Sequence, residues 1–386
     1  MKWCMPTQLS FWKDDTGGSR AAEGEDLGER DRILATRGGA RIRQGVVDTG
    51  RTVRFRRWLH EVATGDGKDL VMTRKRPVGR PVVGAVMLVH GLGQNRWSWT
   101  LPQRSLENYL VSQGFETYNV ELRGHGLSGA LGSPVPRTFE DYVQWDVPAL
   151  IEAVSILWGK GRVFYVGHSL GGSLSYCLGP EHQEKLAGIV SIAGPLHMGR
   201  GNHIIQNAAR LGYVAGRMVR VPEKYLPTTL HVDHMGFLIR QALFFLDHKQ
   251  NRLPLQLWHP RSMEREILME RLSRGMDRTG FSMVRFLVDW AGTGRFKSSC
   301  GSVDFEAPLA DLSVPLLFIN GDRDYAVPPS ASLGAFQQAK SPDKTFEVFG
   351  KKTTGKHFGH LDLIYGRHAP QTVWPCLADW MKERAG

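Results

Sequence analysis

The segment Gly-His-Ser-Leu-Gly-Gly at residues 167–172 constrains this chain more than any other feature. An apolar run at residues 163–166 precedes it and a helix-compatible run follows, so the sequence predicts a turn from a strand into a helix. At so sharp a turn, a side chain at Gly167 or Gly171 would collide with the neighbouring chain, which explains both glycines. The N–H groups of the new helix would face the reaction centre, so we predict that Ser169 is a nucleophile.

A serine hydroxyl is a weak nucleophile at neutral pH. It needs a base within hydrogen-bond reach, and that base needs an acid that orients it. We expect the acid in residues 320–328, because they follow a predicted buried strand at residues 314–319 and open α/β sheets build their sites in such loops. Asp324 is the favoured acid. Asp322 in the same turn is the alternative, and both carboxylates have a plain structural interpretation as turn caps.

The base is expected after the last predicted strand, residues 345–349. His360 is the favoured residue there, with His357 and His368 as nearby alternatives. The His357-x-x-His360 spacing also suits a metal, but no clear third ligand accompanies it, so we expect neither a metal nor an organic cofactor. The order Ser, Asp, His along the chain differs from the orders found in two other serine-protease folds.

The oxyanion that forms during acyl transfer needs two backbone donors beside the nucleophile. The N–H of Leu170, directly after the serine, is the first candidate. The second is the N–H of Leu92, in the loop 90–94 that follows a predicted strand at residues 82–89. Glycines in that loop let its backbone turn toward the serine.

Strands and helices alternate along most of the chain, which predicts a mostly parallel, doubly wound α/β sheet. A hairpin over residues 53–74 comes first. The later apolar runs lack alternation, which is typical of strands buried on both faces. These predicted strands are residues 82–89, 115–120, 162–166, 186–193, 314–319 and 345–349.

The alternation breaks at residues 194–304, here called the cap segment, where helices and no clear strand are predicted. We expect this segment to be an insertion over the carboxyl edge of the sheet. Residues 51–193 and 305–386 are then the two halves of one core. Residues 1–50 are rich in Gly, Arg, Asp and Glu and poor in large apolar residues, which predicts a disordered N-terminal arm.

Composition limits the expected partners and location. The net charge is +11, but no basic run alternates with stacking aromatics, so nucleic acid is not an expected partner. The four cysteines lie far apart, as is typical of free thiols in a reducing compartment. No apolar stretch approaches about 18 residues and no secretory signal is evident, so we expect no membrane insertion and a cytoplasmic location. The oligomeric state is left open.

Large apolar residues near the expected site are candidates for a substrate pocket. Trp97 follows the oxyanion loop, and Met198 and Phe244 lie in the cap segment. Together they would form an apolar surface for an acyl chain. The alternative is that each of them packs the cap segment onto the sheet.

Five motifs in this order resemble those of α/β-hydrolase serine esterases and lipases. The resemblance implies the α/β-hydrolase fold, a mostly parallel, doubly wound sheet with a helical cap insertion. It also implies cleavage of a small-molecule ester through an acyl-enzyme, without a cofactor. Residues 108–110 and 119–124 are similar to the acid-lipase and lysophospholipase-like branches. The five motifs are residues 90–93, 123–126, 167–172, 321–324 and 359–362.

A fold of this kind hosts many activities, so several functions stay open. The leading expectation is a hydrolase of lipid-like or aromatic carboxylic esters. A thioesterase or an acyltransferase with the same triad is the first alternative, and a non-catalytic ligand-binding relative is the second. Ser169 argues against the branches that use Asp at this position, the haloalkane dehalogenases and epoxide hydrolases, and against the Cys-using polyester synthases.

Overall fold

The computed structural model describes residues 34–218, 228–248 and 256–385. Nine strands of this part form one sheet, and two short strands pair separately within the cap segment. The strands are β1 (Leu34–Asp48), β2 (Arg51–Ala63), β3 (Asp69–Pro77), β4 (Gly84–Val89), β5 (Phe115–Glu121), β6 (Val163–His168), β7 (Leu186–Ile192), β8 (Thr229–Leu230), β9 (Thr279–Gly280), β10 (Leu316–Gly321) and β11 (Lys344–Phe349).

The order across the large sheet is β1-β2-β3-β5-β4-β6-β7-β10-β11. Six strands of this sheet run parallel, namely β5, β4, β6, β7, β10 and β11. The strands β1, β2 and β3 add to one edge in antiparallel register. The predicted α/β class and the predicted parallel strands are therefore confirmed. Because all parallel strands run in one direction, the loops after β4, β6, β10 and β11 meet at a single edge of the sheet.

The central strands are buried on both faces, as their unbroken apolar runs predict. Val86 and Leu88 of β4 belong to one apolar cluster, and Met87 and Val89 belong to another. A strand alternates its side chains between faces, so these clusters lie on opposite sides of the sheet. Helices cover both sides, which makes the sheet doubly wound.

The α-helices of the described residues are α1 (Leu106–Ser112), α2 (Gly126–Ala130), α3 (Val147–Trp158), α4 (Leu170–Leu174), α5 (Pro180–Gln183), α6 (His203–Met218), α7 (Val232–Gln241), α8 (Leu243–Leu246), α9 (Arg265–Arg274), α10 (Phe281–Thr293), α11 (Pro329–Gln338), α12 (Lys351–Thr354), α13 (Asp362–Tyr365) and α14 (Val373–Lys382). The helices on the first side of the sheet include α1 and α14, and those on the second include α3 and α4.

Part of the expected disordered arm is ordered. Residues 34–48 form β1, which pairs with β2 across most of its length. The end of this strand is held by the core, since Val47 is buried and its carbonyl accepts a hydrogen bond from Ser105 N (2.8 Å). Asp48 is paired with the buried Arg104 (2.8 Å). The entropy cost of ordering this strand is offset by its pairing with β2 and by these two contacts. The few large apolar residues of the arm would not offset that cost by themselves. Residues 1–33 of the arm lie outside the described part.

The cap segment contains five helices within its described residues, α6 to α10, and the small pair β8–β9 that the sequence pattern did not indicate. Glycines allow close approach between its helices. A Cβ at Gly292 of α10 would lie 2.9 Å from the Ala209 carbonyl oxygen of α6, and one at Gly236 of α7 would lie 2.6 Å from that of Leu272 in α9. Leu272 belongs to the same cluster as β4 residues. The division into a core and an inserted cap stays our interpretation.

Within the described residues, no helix has both the length and the apolar character that crossing a membrane requires.

Candidate active site

Ser169 stands at the turn between β6 and α4 with a strained backbone. Its φ of 55° and ψ of −121° lie in a region that non-glycine residues rarely adopt. The surrounding backbone holds this conformation: Ser169 N donates to the Ile192 carbonyl (2.9 Å), and the Ser169 carbonyl accepts from Gly172 N (2.9 Å). The backbone strain therefore lies at the predicted nucleophile, and hydrogen bonds to Ile192 and Gly172 hold the strained conformation in place.

The two glycines of the turn are sterically required. A Cβ at Gly167 would overlap the carbonyl group of Gly171. A Cβ at Gly171 would overlap the carbonyl oxygen of Val89 and lie 2.7 Å from that of His90. Backbone atoms of β4 and α4 cannot move aside without breaking the sheet, so no side chain fits at either position.

His360 and Asp324 form a buried pair. His360 Nδ1 lies 2.7 Å from Asp324 Oδ2, and both side chains are almost fully buried. The other carboxylate oxygen, Asp324 Oδ1, accepts from Val327 N (2.7 Å). An acid on Nδ1 favours the tautomer with its proton there, which leaves Nε2 as an acceptor.

The loop of His360 lies against the nucleophile turn through His168, the residue before Ser169. The His168 and His360 rings are 4.6 Å apart, and His168 Nε2 donates to the His360 carbonyl (3.3 Å). Burial, and then the neighbouring His360, lower the pKa of His168 well below 6.5, so His168 stays neutral. His168 thus links the turn that carries Ser169 to the loop that carries His360, and both residues lie at the same edge of the sheet.

The alternative acid and the alternative base form a second pair of their own. His357 Nδ1 lies 2.6 Å from Asp322 Oδ2, and both side chains are partly exposed. Asp322 also accepts from Phe358 N (3.0 Å) and Lys351 N (3.2 Å), so it fastens the loop after β11 to the loop after β10.

The third histidine, His368, directly precedes the short helical turn Ala369–Gln371 and joins neither pair. His357 and His360 each contact a separate carboxylate, and within the described ranges no group of three or more His, Cys, Asp and Glu side chains has the arrangement of a metal site. His357 and His360, whose spacing resembles that of metal ligands, each form a hydrogen bond with an aspartate.

The loop after β4 lies directly beside the nucleophile. A Cβ at Gly91 would lie 3.0 Å from Ser169 Cβ. Leu92 is half-buried and packs against the apolar cluster that contains Leu170, the first residue of α4. Gly93 has a φ of 59° and its carbonyl accepts from Asp277 N of the cap segment (2.8 Å). Both predicted oxyanion donors therefore belong to backbone segments that flank Ser169.

His90 holds that loop in place. Its Nδ1 donates to the Gly91 carbonyl (2.8 Å), and its Nε2 accepts from Leu122 N (3.1 Å). Burial, followed by the neighbouring His125, lowers the pKa of His90 to about 3. A neutral imidazole with one donor and one acceptor suits both hydrogen bonds, so the structure assigns His90 a positioning role.

The three pocket candidates lie in different surroundings. Trp97 is half-buried, with the guanidinium groups of Arg96 and Arg274 at 5.3 and 5.1 Å from its ring. Met198 is partly buried against the cluster that contains Leu170. Phe244 is 73% exposed, because α8 turns Leu243 into the core and points Phe244 outward. Phe244 therefore lies outside the core, and its role in an acyl pocket stays a prediction.

A groove of about 950 Å³ runs beside the site rather than through it. It lies between the segment 124–140 and α10, and its lining includes Val135, Arg137, Phe281 and Arg285. Ser169, Asp324 and His360 do not line it. Gly124 connects its wall to the loop after β5, so the groove borders the edge of the sheet that carries the candidate site.

Asp362 is a buried carboxylate that belongs to one of the five sequence motifs, although the sequence analysis assigned it no role. It accepts hydrogen bonds from Gly359 N (2.6 Å), His259 N (2.8 Å) and Ser262 Oγ (2.5 Å). Burial raises the pKa of Asp362 to about 7, partly countered by these hydrogen bonds. Asp362 fixes the backbone on both sides of His360 to the cap segment. The sequence signal for this role was the position of Asp362, two residues after His360.

Arg271 is the second group that sequence reasoning missed. It is 1% exposed, on α9, whose other buried residues include Ile267, Leu268 and Leu272. Residues three and four apart share a helix face, so an arginine in this apolar stripe was visible in the sequence.

Comparison with known proteins places the chain in a family. Residues 84–362 match the family defined by the alpha/beta hydrolase fold, and the match covers more than half of the chain. The chain belongs to this family.

The relatives with curated names include lipases and poly(3-hydroxyalkanoate) polymerase subunits. The chain is 24% identical to human Lipase member K, over 84% of this chain and 87% of that protein. It is also 24% identical to the poly(3-hydroxyalkanoate) polymerase subunit PhaC of Haloferax mediterranei, over 74% of this chain. The chain spans 55% of the length of that polymerase subunit.

Among solved structures, the monoacylglycerol lipase of Paleococcus ferrophilus has a TM-score of 0.51 at 19% identity. The match covers 82% of this chain and 99% of that one. At this identity the similarity shows the fold alone.

Proposed function

We propose that this protein is a serine hydrolase that cleaves carboxylic esters through an acyl-enzyme. Ser169 is the nucleophile, His360 the general base and Asp324 the acid that orients the base. The observation that carries the proposal is the buried His360–Asp324 pair (2.7 Å) beside a serine held at φ 55°. The lipase relative and the family membership support the same reading.

In the first half-reaction Ser169 Oγ attacks the acyl carbon while His360 Nε2 takes the hydroxyl proton. The carbonyl electron pair moves onto oxygen, and the N–H groups of Leu170 and Leu92 bind the resulting oxyanion. The intermediate collapses as the bond to the alcohol oxygen breaks. His360 returns its proton to that oxygen, the alcohol leaves, and the acyl group stays on Ser169.

In the second half-reaction a water molecule replaces the alcohol. His360 takes a proton from the water, whose oxygen attacks the acyl carbon of the acyl-enzyme. The bond to Ser169 Oγ then breaks, the serine regains its proton from His360, and the carboxylic acid leaves. Asp324 keeps the imidazole in the correct tautomer and stabilises its charged form in both half-reactions.

The substrate proposed for this site is a lipid-like or aromatic ester. Trp97 and Met198 are half-buried apolar side chains near the oxyanion loop and the serine helix, where an acyl chain would lie. Their partial exposure supports a role in binding, because a residue that only packs the core would be expected to be more deeply buried.

Acyl transfer is the second candidate, and the polymerase relatives favour it. A polymerase of hydroxyalkanoates joins acyl groups to an acceptor other than water, and an acyl-enzyme intermediate would serve that reaction as well. The chain spans about half the length of the Haloferax subunit, and it carries a serine at the turn. Hydrolysis and transfer therefore differ only in which acceptor reaches the acyl-enzyme.

The test is a series of p-nitrophenyl esters from acetate to dodecanoate, with a matched series of acyl-CoA thioesters and added alcohol acceptors. We expect ester turnover by wild type and a loss of at least about 1,000-fold in Ser169→Ala. Faster product formation with added alcohols would favour the transferase. Binding of these esters without any turnover would support the non-catalytic alternative and contradict the proposal.

A further inference from the structure

The cap segment holds a buried cation with no ion-pair partner and with two unpaired guanidinium nitrogens among the described residues. Arg271 is 1% exposed, and two of its guanidinium nitrogens, Nε and Nη1, have no hydrogen-bond partner in that part of the chain. No ion pair between Arg271 and a described Asp or Glu is present. Burial accordingly lowers the pKa of Arg271, and Tyr365 is the group that opposes this effect. An uncompensated buried charge is costly and calls for an explanation.

The structure makes room for this guanidinium. A Cβ at Gly275, just after α9, would overlap Arg271 Nη1. The φ of Gly275 is −96°, which any residue can adopt, so the glycine is needed for space and not for its backbone. A helix end that accommodates a charged side chain without pairing it is a built feature of the fold.

The same guanidinium lies near the proposed reaction centre. Arg271 lies over the Tyr365 ring at 6.0 Å, and the Tyr365 hydroxyl donates to the Trp97 carbonyl. The charge of Arg271 also contributes to the lowered pKa values of His90 and His168. His90 opens the oxyanion loop and His168 precedes Ser169, so the charge of Arg271 acts on groups in both segments that flank the nucleophile.

The other cations near Trp97 already have partners. Arg96 is paired with the buried Glu121 (3.0 Å), and Arg274 with Glu270 (3.4 Å). Within the described part of the chain, Arg271 is therefore the one of these three cations without an acidic partner. A single negative charge would balance it, whereas a doubly charged phosphate would bring a second buried charge without a partner.

From this arrangement we infer that Arg271 binds a carboxylate of the substrate, so that this protein acts on esters which carry an anionic group. The inference rests on the proposed hydrolase function and names its substrate class. A guanidinium matches a carboxylate with several parallel donors, and the pairing strengthens in a desolvated site. The carboxylate lies either on the acyl half or on the alcohol half of the ester.

The experiment compares esters that differ only in this charge. Monomethyl adipate against methyl hexanoate places the carboxylate on the acyl half. The acetate ester of 6-hydroxyhexanoate against hexyl acetate places it on the alcohol half. Values of kcat/KM are measured for wild type, for Arg271→Met and for Arg271→Lys. The lysine keeps the charge but lacks the parallel N–H donors of a guanidinium. Arg265→Met, an exposed position on the same helix, is the control.

We expect wild type to prefer one charged ester over its neutral partner by about 10-fold or more. Arg271→Met should lower kcat/KM for that ester about 100-fold while changing the neutral ester less than threefold. Arg271→Lys should retain part of the preference, and Arg265→Met all of it. The unfolding temperature of Arg271→Met should equal or exceed that of wild type, because a buried unpaired charge is removed.

A binding measurement separates this inference from the proposed function. Calorimetric titration of monomethyl adipate and of 6-acetoxyhexanoate into Ser169→Ala should show binding that Ser169→Ala/Arg271→Met loses. If wild type turns over no ester while this loss is seen, the anion site stands and the hydrolase assignment falls. If wild type turns over charged and neutral esters alike, and Arg271→Met changes neither the ratio nor the binding, the inference is overturned.

Discussion

The imidazole of His360 meets Asp324 at 2.7 Å in a setting almost free of solvent, while three residues earlier His357 meets Asp322 at 2.6 Å in a partly exposed one. Two adjacent turns thus supply two Asp–His pairs of nearly equal length. The buried pair contacts the nucleophile turn, because the ring of His360 lies 4.6 Å from that of His168, and it is the pair to which we assign catalysis.

Replacement of each histidine should separate the pairs. We expect His360→Ala to lower kcat for p-nitrophenyl ester hydrolysis by about 10⁴-fold or more, because the serine loses its base. His357→Ala removes an equivalent hydrogen bond outside the site and should change kcat less than about 10-fold. Steady-state kinetics on both variants decide the matter, and a larger loss in His357→Ala would move the base to His357.

The acids should behave in parallel. Asp324→Asn keeps the shape of the side chain but no longer favours a proton on His360 Nδ1, so kcat should fall about 10³- to 10⁴-fold. Asp322→Asn is the matched control, with an expected effect below about 10-fold. Circular dichroism spectra establish that both variants are folded. Equal losses in the two variants would contradict the assignment of Asp324 as the orienting acid.

Asp362 predicts a pH dependence of stability. Its folded-state pKa is raised to about 7 by burial, above the ordinary value of 3.8 for an unfolded chain. The folded state therefore binds the extra proton, and the contribution to stability is complete below about pH 4 and is lost as the pH rises through 7. The loss is on the order of a few kcal/mol.

Asp362→Asn tests this dependence with little change in geometry. Its amide oxygen can accept from Gly359 N and His259 N, and its NH₂ can donate to Ser262 Oγ. We expect urea unfolding of wild type to lose stability between pH 4 and pH 7 more steeply than the variant does. Parallel curves for the two proteins would show that Asp362 does not titrate in this range.

The sheet and the nucleophile turn could be predicted because their signals are local. The runs of β4, β6 and β10 lack alternation, which follows directly from burial on both faces. The spacing of Gly167 and Gly171 encodes a steric condition that involves backbone atoms only. Both features can be read from residue types alone.

The features that could not be predicted arise from tertiary contacts. Asp322 and Asp324 stand two residues apart in one turn, and only the approach of the loop after β11 decides which histidine each one meets. A four-residue helix such as α8 has no periodicity from which the exposure of Phe244 could be inferred. β1 is ordered by pairing with the adjacent strand β2 and by Arg104, which lies 56 residues from Asp48 in the sequence.

Arg104 should contribute strongly to the stability of this edge. It is buried and donates to Asp48 (2.8 Å), to Glu264 of the cap segment (2.7 Å) and to the Tyr365 carbonyl (2.8 Å). Arg104→Met keeps much of the volume but leaves the buried Asp48 carboxylate without its close partner. We expect a loss of about 3–5 kcal/mol in the free energy of unfolding, measured with urea.

Arg51→Ala is the control for Arg104. The Arg51 side chain is 56% exposed and lies 3.9 Å from the same carboxylate of Asp48. A solvent-screened pair of this kind contributes less than about 1 kcal/mol. Losses of similar size in Arg104→Met and Arg51→Ala would contradict the view that burial makes the Arg104 contacts important.

The most direct test of the central claim is covalent labelling of Ser169 by a fluorophosphonate probe. An activated serine displaces fluoride from phosphorus, so intact-mass spectrometry should show one added phosphonyl group on wild type, and peptide mapping should place it on Ser169. Ser169→Ala should not be labelled, and His360→Ala should be labelled far more slowly. Labelling of Ser169→Ala at the wild-type rate would contradict the account.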